Sequence, residues 1–141
     1  MSNTVTKIGK TNFLGAQVDE KVTRKKVNEI IDSLNGINDK GTVTQATSIT
    51  TGVTLDKPAG AITTVSTTLA AGASAGGVFT LTNSYITTSS VILTNCLQGA
   101  TGSSVNALVS NITNGSCDIL LTNVGGTTTA AAAITIHFLV I

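Results

Sequence analysis

Beyond Ala59 this sequence carries a single charged side chain, Asp118. Charged residues are 11% of the whole, against about a quarter in ordinary globular domains. The net charge is +1, so there is no electrostatic case for binding nucleic acid or an anionic membrane. Aromatic rings make up 3% of the residues, with no Trp and one Tyr; the core must therefore be built from Val, Ile, Leu and Ala. No apolar run is long enough to span a bilayer as a helix. The opening MSNTVTKIGK lacks an apolar signal segment, which leads us to expect a protein made and folded in a cytoplasm. In that compartment the two cysteines, Cys96 and Cys117, are expected as reduced, buried small hydrophobes.

The same scarcity removes most catalytic chemistry. His137 is the only histidine, and its spacing from either Cys fits no cysteine-hydrolase signature. Two lone Cys and one His do not make a zinc site, which usually takes four ligands in close pairs. After Gly41 the only carboxylates are Asp56 and Asp118, a poor basis for paired acid and base work. Asp56 stands in the turn-like DKPAG, and Asp118 reads as an outward strand residue or a polar contact between subunits. AAGASAGG is followed by no Lys and opens no helix, so it is not a phosphate loop. We expect no catalytic residue, no cofactor and no metal.

What is present divides in two. Seven of the eight basic and five of the seven acidic residues precede Gly41. Residues 1–17 read as an N-terminal arm, with Ile8, Phe13 and Leu14 apolar but without periodicity. Residues 18–36 read as an amphipathic helix. Val18, Val22, Val27, Ile30, Ile31 and Leu34 form one stripe. Asp19 is placed to cap the start, Gly36 to end it, and Glu20 and Arg24 to pair on the wet face. A helix of about five turns is marginal alone. Its stripe needs a cover: the chain's own β domain, sister helices or a larger partner. The triplet Arg24, Lys25, Lys26 reads as a solvated face. Residues 37–42 read as a linker.

Residues 43–141 read as a β head. Strand-length runs fall at 43–50, 53–56, 60–66, 77–83, 90–97, 104–112, 116–122 and 132–140, separated by Gly, Asn and Ser. Their number and spacing predict an all-β fold: an eight-strand antiparallel β-sandwich, jelly-roll-like. In the last run Ile134, Ile136, Phe138 and Val140 share one face. The other face, Thr135, His137, Leu139 and Ile141, is also largely apolar. This double-sided strand suggests an oligomer interface at His137, Leu139 and Ile141, or a central strand near a loop. FTLTNSYITTSSVILTN and LVSNITNGSCDILLTN share a plan of strand, polar turn, strand and Thr-Asn. Each is expected as a hairpin, the second turning at Asn114-Gly115. Outward hydroxyl and amide side chains satisfy hydrogen bonds in a protein contact without the desolvation penalty of ions.

TTVSTTLAAGASAGGVFTLTNSYITTSSVILTN, VSNITNGSCDILLTNVGG and AITIHFLVI together resemble a β module of tailed-bacteriophage virion proteins, found in head decoration, head-fibre and tail-fibre pieces. The resemblance covers roughly residues 43–141. It rests on Phe79, Thr82, Asn83, Ser84, Ser90, Val91, Gly115, Ser116, Asp118 and Ile119. Cys117 stands where the module has Phe, and His137 where it has Asn. The resemblance implies a non-enzymatic virion structural protein, a capsid decoration, cement or head-fibre protein, and a homotrimer. Residues Ile8, Phe13, Leu14, Val27, Ile31 and Leu34 would then anchor it to a major capsid or other virion protein. The alternative is a receptor- or carbohydrate-binding module of a tail fibre using Tyr85 and polar loops, although sugar sites favour stacked aromatics. A pilin-like fibre subunit and an enzyme rank below both.

Overall fold

The computed structural model describes residues 20–72, 77–98, 105–129 and 131–141. The expected arm over 1–17, with Ile8, Phe13 and Leu14, and the cap residue Asp19 lie outside the described residues. The chain divides into two compact units, residues 1–36 and 37–141.

In the first unit, helix α1 runs Glu20–Asn38. Its stripe has the expected spacing, and Val27, Ile30 and Ile31 are all exposed. Leu34 lies on α1, but its side chain is outside the description. Glu29 pairs with Lys25 at 3.9 Å and Lys26 at 3.7 Å. These are exposed i,i+4 and i,i+3 pairs, worth a few tenths of a kcal/mol at most. Gly36 does not end the helix. One Gly in the last turn costs only about 1 kcal/mol, and the helix continues two residues further. The expected linker at 37–42 is likewise corrected: only Asp39 separates α1 from the first strand. The Asp39 carboxylate accepts two hydrogen bonds from Lys57 Nζ, at 2.8 and 2.9 Å.

The second unit is a β-sandwich. Among the described residues it has eight strands: β1 Lys40–Thr44, β2 Val53–Thr54, β3 Ala59–Thr63, β4 Gly77–Thr82, β5 Ile92–Gln98, β6 Val105–Thr113, β7 Ser116–Asn123 and β8 Ile134–Val140. They form two four-stranded sheets, ordered β1-β3-β8-β5 and β2-β4-β7-β6. The wholly antiparallel expectation is corrected at one edge of each sheet, where β1–β3 and β2–β4 are parallel. The cause is the path. From β1 to β4 the chain alternates between sheets, so each return to a sheet follows two reversals. The other four pairings are antiparallel, and a jelly-roll order is not confirmed.

The hairpin expectation divides in the same way. β6–β7 is a hairpin through Asn114 and Gly115, with Gly115 at φ +88, a conformation in which L side chains are strained. β4 and β5 are not a hairpin; they belong to different sheets. Asn83 holds the start of that crossing. It is fully buried. Its Nδ2 donates to the Lys57 carbonyl (2.7 Å), its Oδ1 accepts from Tyr85 N–H (2.9 Å) and its own N–H donates to Gly115 O (2.8 Å). Asn123 does the same work at the end of β7: Nδ2 donates to Leu69 O and Thr127 O, and Oδ1 accepts from Gly125 N–H. Each side chain replaces backbone partners where the strand ladder stops.

One core lies between the sheets. Ile62, Ile136 and Phe138 from the first sheet join Phe79, Leu81 and Leu121 from the second. As expected, it is mainly aliphatic. Cys117 is buried in it and Cys96 packs against it; both are free thiols, each pushed up to about 11 by burial. Gly60 faces this core opposite Gly41 in the parallel pair. A Cβ on Gly60 would stand 2.7 Å from the Gly41 carbonyl oxygen and from a Leu55 methyl. The two facing glycines thus make room for Leu55.

Candidate association surface

The outer face of the first sheet follows from its register. Antiparallel and parallel partners place Lys40, Ala59, Leu139 and Leu93 in one row across the four strands. Thr42, Ala61, His137 and Asn95 make the next, and Thr44, Thr63, Thr135 and Leu97 the third. Val91 and Ile141 extend the face at one end, joined by reciprocal backbone hydrogen bonds of 2.9 Å. Side chains of one row stand on the same side because the strand period is two.

The row composition shapes a trough. β3 contributes only Ala59, Ala61 and Thr63 to this face, while β5 raises Leu93 and Leu97 on the far side of β8. The result is an open depression of about 530 Å³, lined by Ala59, Ala61, Leu93, His137 and Leu139 among others. Its apolar flank is wet: Val91 is 58% exposed, Leu93 53%, Leu97 52% and Ile141 69%. Lys40 is the one charged side chain in the three rows.

The outer face of the second sheet is different. Thr80, Asp118 and Ser110 form its central row. Thr80 Oγ1 donates to one Asp118 oxygen at 2.8 Å, and Asn111 Nδ2 donates to the other at 2.9 Å. Asn111 reaches it from a left-handed bulge, φ 48, where the β6 register shifts. These bonds, Asn111 first, hold the Asp118 carboxyl below the usual range. Val78, Leu120 and Leu108 give this face one apolar row only.

Of the residues singled out in the sequence, His137, Leu139 and Ile141 do lie together on the first sheet's outer face. Val91, Leu93 and Leu97 share it and were missed, although SSVILTNCLQ has the same two-sided apolar pattern as the final strand. On α1, Val27 and Ile31 stand one turn apart with Ile30 between them. His137 and Cys96 point to opposite faces, because Asn95 opposes His137 and Ile136 opposes Cys96. They form no nucleophile–base pair. Asp56 serves its turn: its Oδ1 accepts from Ser84 N–H at 2.6 Å, and the Ser84 bonds, side chain first, lower its pKa. Among the described residues no three His, Cys, Asp or Glu side chains gather as a metal group, and no helix is long and apolar enough to cross a membrane.

The chain is thus an all-β sandwich with an amphipathic helix before it, and its most distinctive surface is an apolar sheet face. No family model, curated protein or solved structure matches it.

Proposed function

We propose that the chain is a non-enzymatic structural protein of a virus particle, a capsid decoration, cement or head-fibre protein of tailed-phage type. The observation that carries this reading is the division of surface chemistry. Residues 1–40 hold most of the charge and an amphipathic helix with an exposed stripe. The sandwich offers hydroxyl, amide and apolar groups with scarcely any ions. The first suits an anchor; the second suits a head that meets other protein without paying heavily for desolvated charge. The β-module resemblance set out above supports the same reading.

In this reading residues 1–36, through Ile8, Phe13, Leu14, Val27, Ile31 and Leu34, grip a major capsid or other virion protein. The heads associate as a homo-oligomer, a trimer. No cofactor, nucleic acid or membrane takes part, and the protein is made in the host cytoplasm before joining the virion. The second unit is compact by itself, so deleting residues 1–36 is expected to leave a folded β protein that no longer binds particles. Continued particle binding by the truncated chain sinks the anchoring role.

A further inference from the structure

We infer that the outer face of the first sheet, from the β5 ridge of Leu93 and Leu97 to the Ala59–Ala61 trough, is the seam between copies of this chain. The inference rests on the homo-oligomer part of the reading above and goes further by assigning the contact to one sheet and excluding the other.

Three properties point to a second copy as the occupant. The first is size. Four strands about 4.8 Å apart and three rows about 6.7 Å apart span roughly 19 by 20 Å, or about 400 Å² in projection. The ~800 Å² per partner of a standard interface is accessible rather than projected area, so this face, with Val91 and Ile141 added, makes up a substantial part of one. Val91, Leu93, Leu97 and Ile141, each more than half exposed, make an apolar flank along edge strand β5 and the adjoining end of β8, a concentration of exposed apolar side chains on one face of the kind that marks a contact surface. The second property is shape. Leu93 and Leu97 rise on edge strand β5, across β8 from the small side chains Ala59 and Ala61 of β3, so the raised edge of one copy can enter the depression of another. The third is charge. The face has no acid and one base, Lys40, on edge strand β1. A partner surface bearing ions would lose their hydration against it. From Ala59 onward this chain has only Asp118, and that residue is engaged on the other sheet. An uncharged face of this kind is what another copy supplies.

The test is sedimentation velocity on the full-length chain over a dilution series at micromolar concentration, with the monomer at 14.2 kDa. Wild type is expected to sediment as an oligomer. The double variant Leu93→Lys, Leu97→Lys is expected to weaken association by at least about tenfold, the scale of one hot-spot side chain. Leu108→Lys, a similarly exposed leucine on the second sheet (51%), is expected to leave it unchanged. A monomeric wild type overturns the seam and the homo-oligomer reading together. An oligomer that survives the double substitution overturns the seam and leaves that reading standing. Equal dissociation by Leu108→Lys overturns the choice of sheet. Circular dichroism checks folding; should the lysine variant not fold, Leu93→Thr, Leu97→Thr keeps strand preference and is judged in the same way. Hydrogen exchange on wild type gives an independent reading: Ile92–Gln98 exchanges more slowly at high than at low concentration if the seam is real, and equally if it is not.

Discussion

The two sheets of the sandwich have nearly the same inner chemistry and opposite outer chemistry. Inside, both contribute aliphatic side chains and one Phe to one core, Ile62, Ile134, Ile136 and Phe138 from the first sheet and Phe79, Leu81, Ile119 and Leu121 from the second. Outside, the second sheet seats an acid between Thr80 and Asn111, while the first sheet lines a shallow trough with Leu93 and Leu139 and leaves Leu97 and Ile141 exposed on the same face. Inner faces are constrained by packing, which demands apolar volume from either side. Outer faces are free of that demand. An apolar outer face therefore needs a separate cause, and we propose association between copies as that cause.

The strongest way to break the comparison is to strike the shared core from each side. Ile136→Ala on β8 and Phe79→Ala on β4 are expected to destabilise the protein by about 2–5 and 3–5 kcal/mol, since both side chains are fully or almost fully buried. Urea unfolding checks this. A loss below about 1 kcal/mol at either position would show that the two inner faces are not equivalent. A smaller effect is expected where the sheets end. Asn83→Ala strands the part-buried Lys57 carbonyl and Tyr85 N–H and empties a fully buried site, and should cost about 1–3 kcal/mol. Asn123→Ala should cost a similar amount, because it plays the same part at the other turn. Unequal losses in urea would separate the two turns.

The smallest effect concerns the acid on the second sheet's outer face. The folded-state pKa of Asp118 lies below its ordinary value of 3.8. Its hydrogen bonds therefore add stability that is fully present above pH 3.8 and is lost as the pH falls through the folded value. The first sheet has no carboxylate in its outer rows and should show no such dependence of its own. Asp118→Asn is expected to lose less stability than wild type between pH 5 and pH 2, measured as the shift in thermal midpoint at each pH. An unchanged acid profile would remove Asp118 from the account. Asp56, also lowered, keeps acting in both proteins and contributes to the slope that remains.

Much of this was legible beforehand. Alternation in AITIHFLV marked β8, and strand-length runs bounded by Gly, Asn and Ser marked β4 and β7, to within about two residues. Each inner set is strictly apolar, and a period of two admits few other readings. The Asn114-Gly115 turn was equally plain, because few other pairs take that backbone shape. Pairing was less accessible. Nothing local to FTLTNSYITTSSVILTN distinguishes a hairpin from a crossing between sheets. That choice depends on Asn83 binding the carbonyl of Lys57, 26 residues away. Residues 40–42 read as part of a linker by composition. They belong to β1 because Gly41 faces Gly60 and Leu55 fills the space between them. The face at Val91, Leu93 and Leu97 was overlooked for a related reason. Ile92 and Cys96, the intervening positions, are apolar too, so periodicity could not say which set would stay wet.

By itself, then, the sequence determined the all-β class, an aliphatic core with buried thiols, and the division between a charged leading segment and a nearly uncharged head. These follow from composition and the two-residue period, which act within a few residues along the chain. Only the tertiary structure decided that β1–β3 and β2–β4 run parallel, that β4 and β5 lie in different sheets, and that Leu93, Leu97, His137 and Leu139 share one surface. Each of those depends on hydrogen-bond partners and packing neighbours brought together from distant parts of the chain, and no local pattern encodes which of two apolar faces will turn inward.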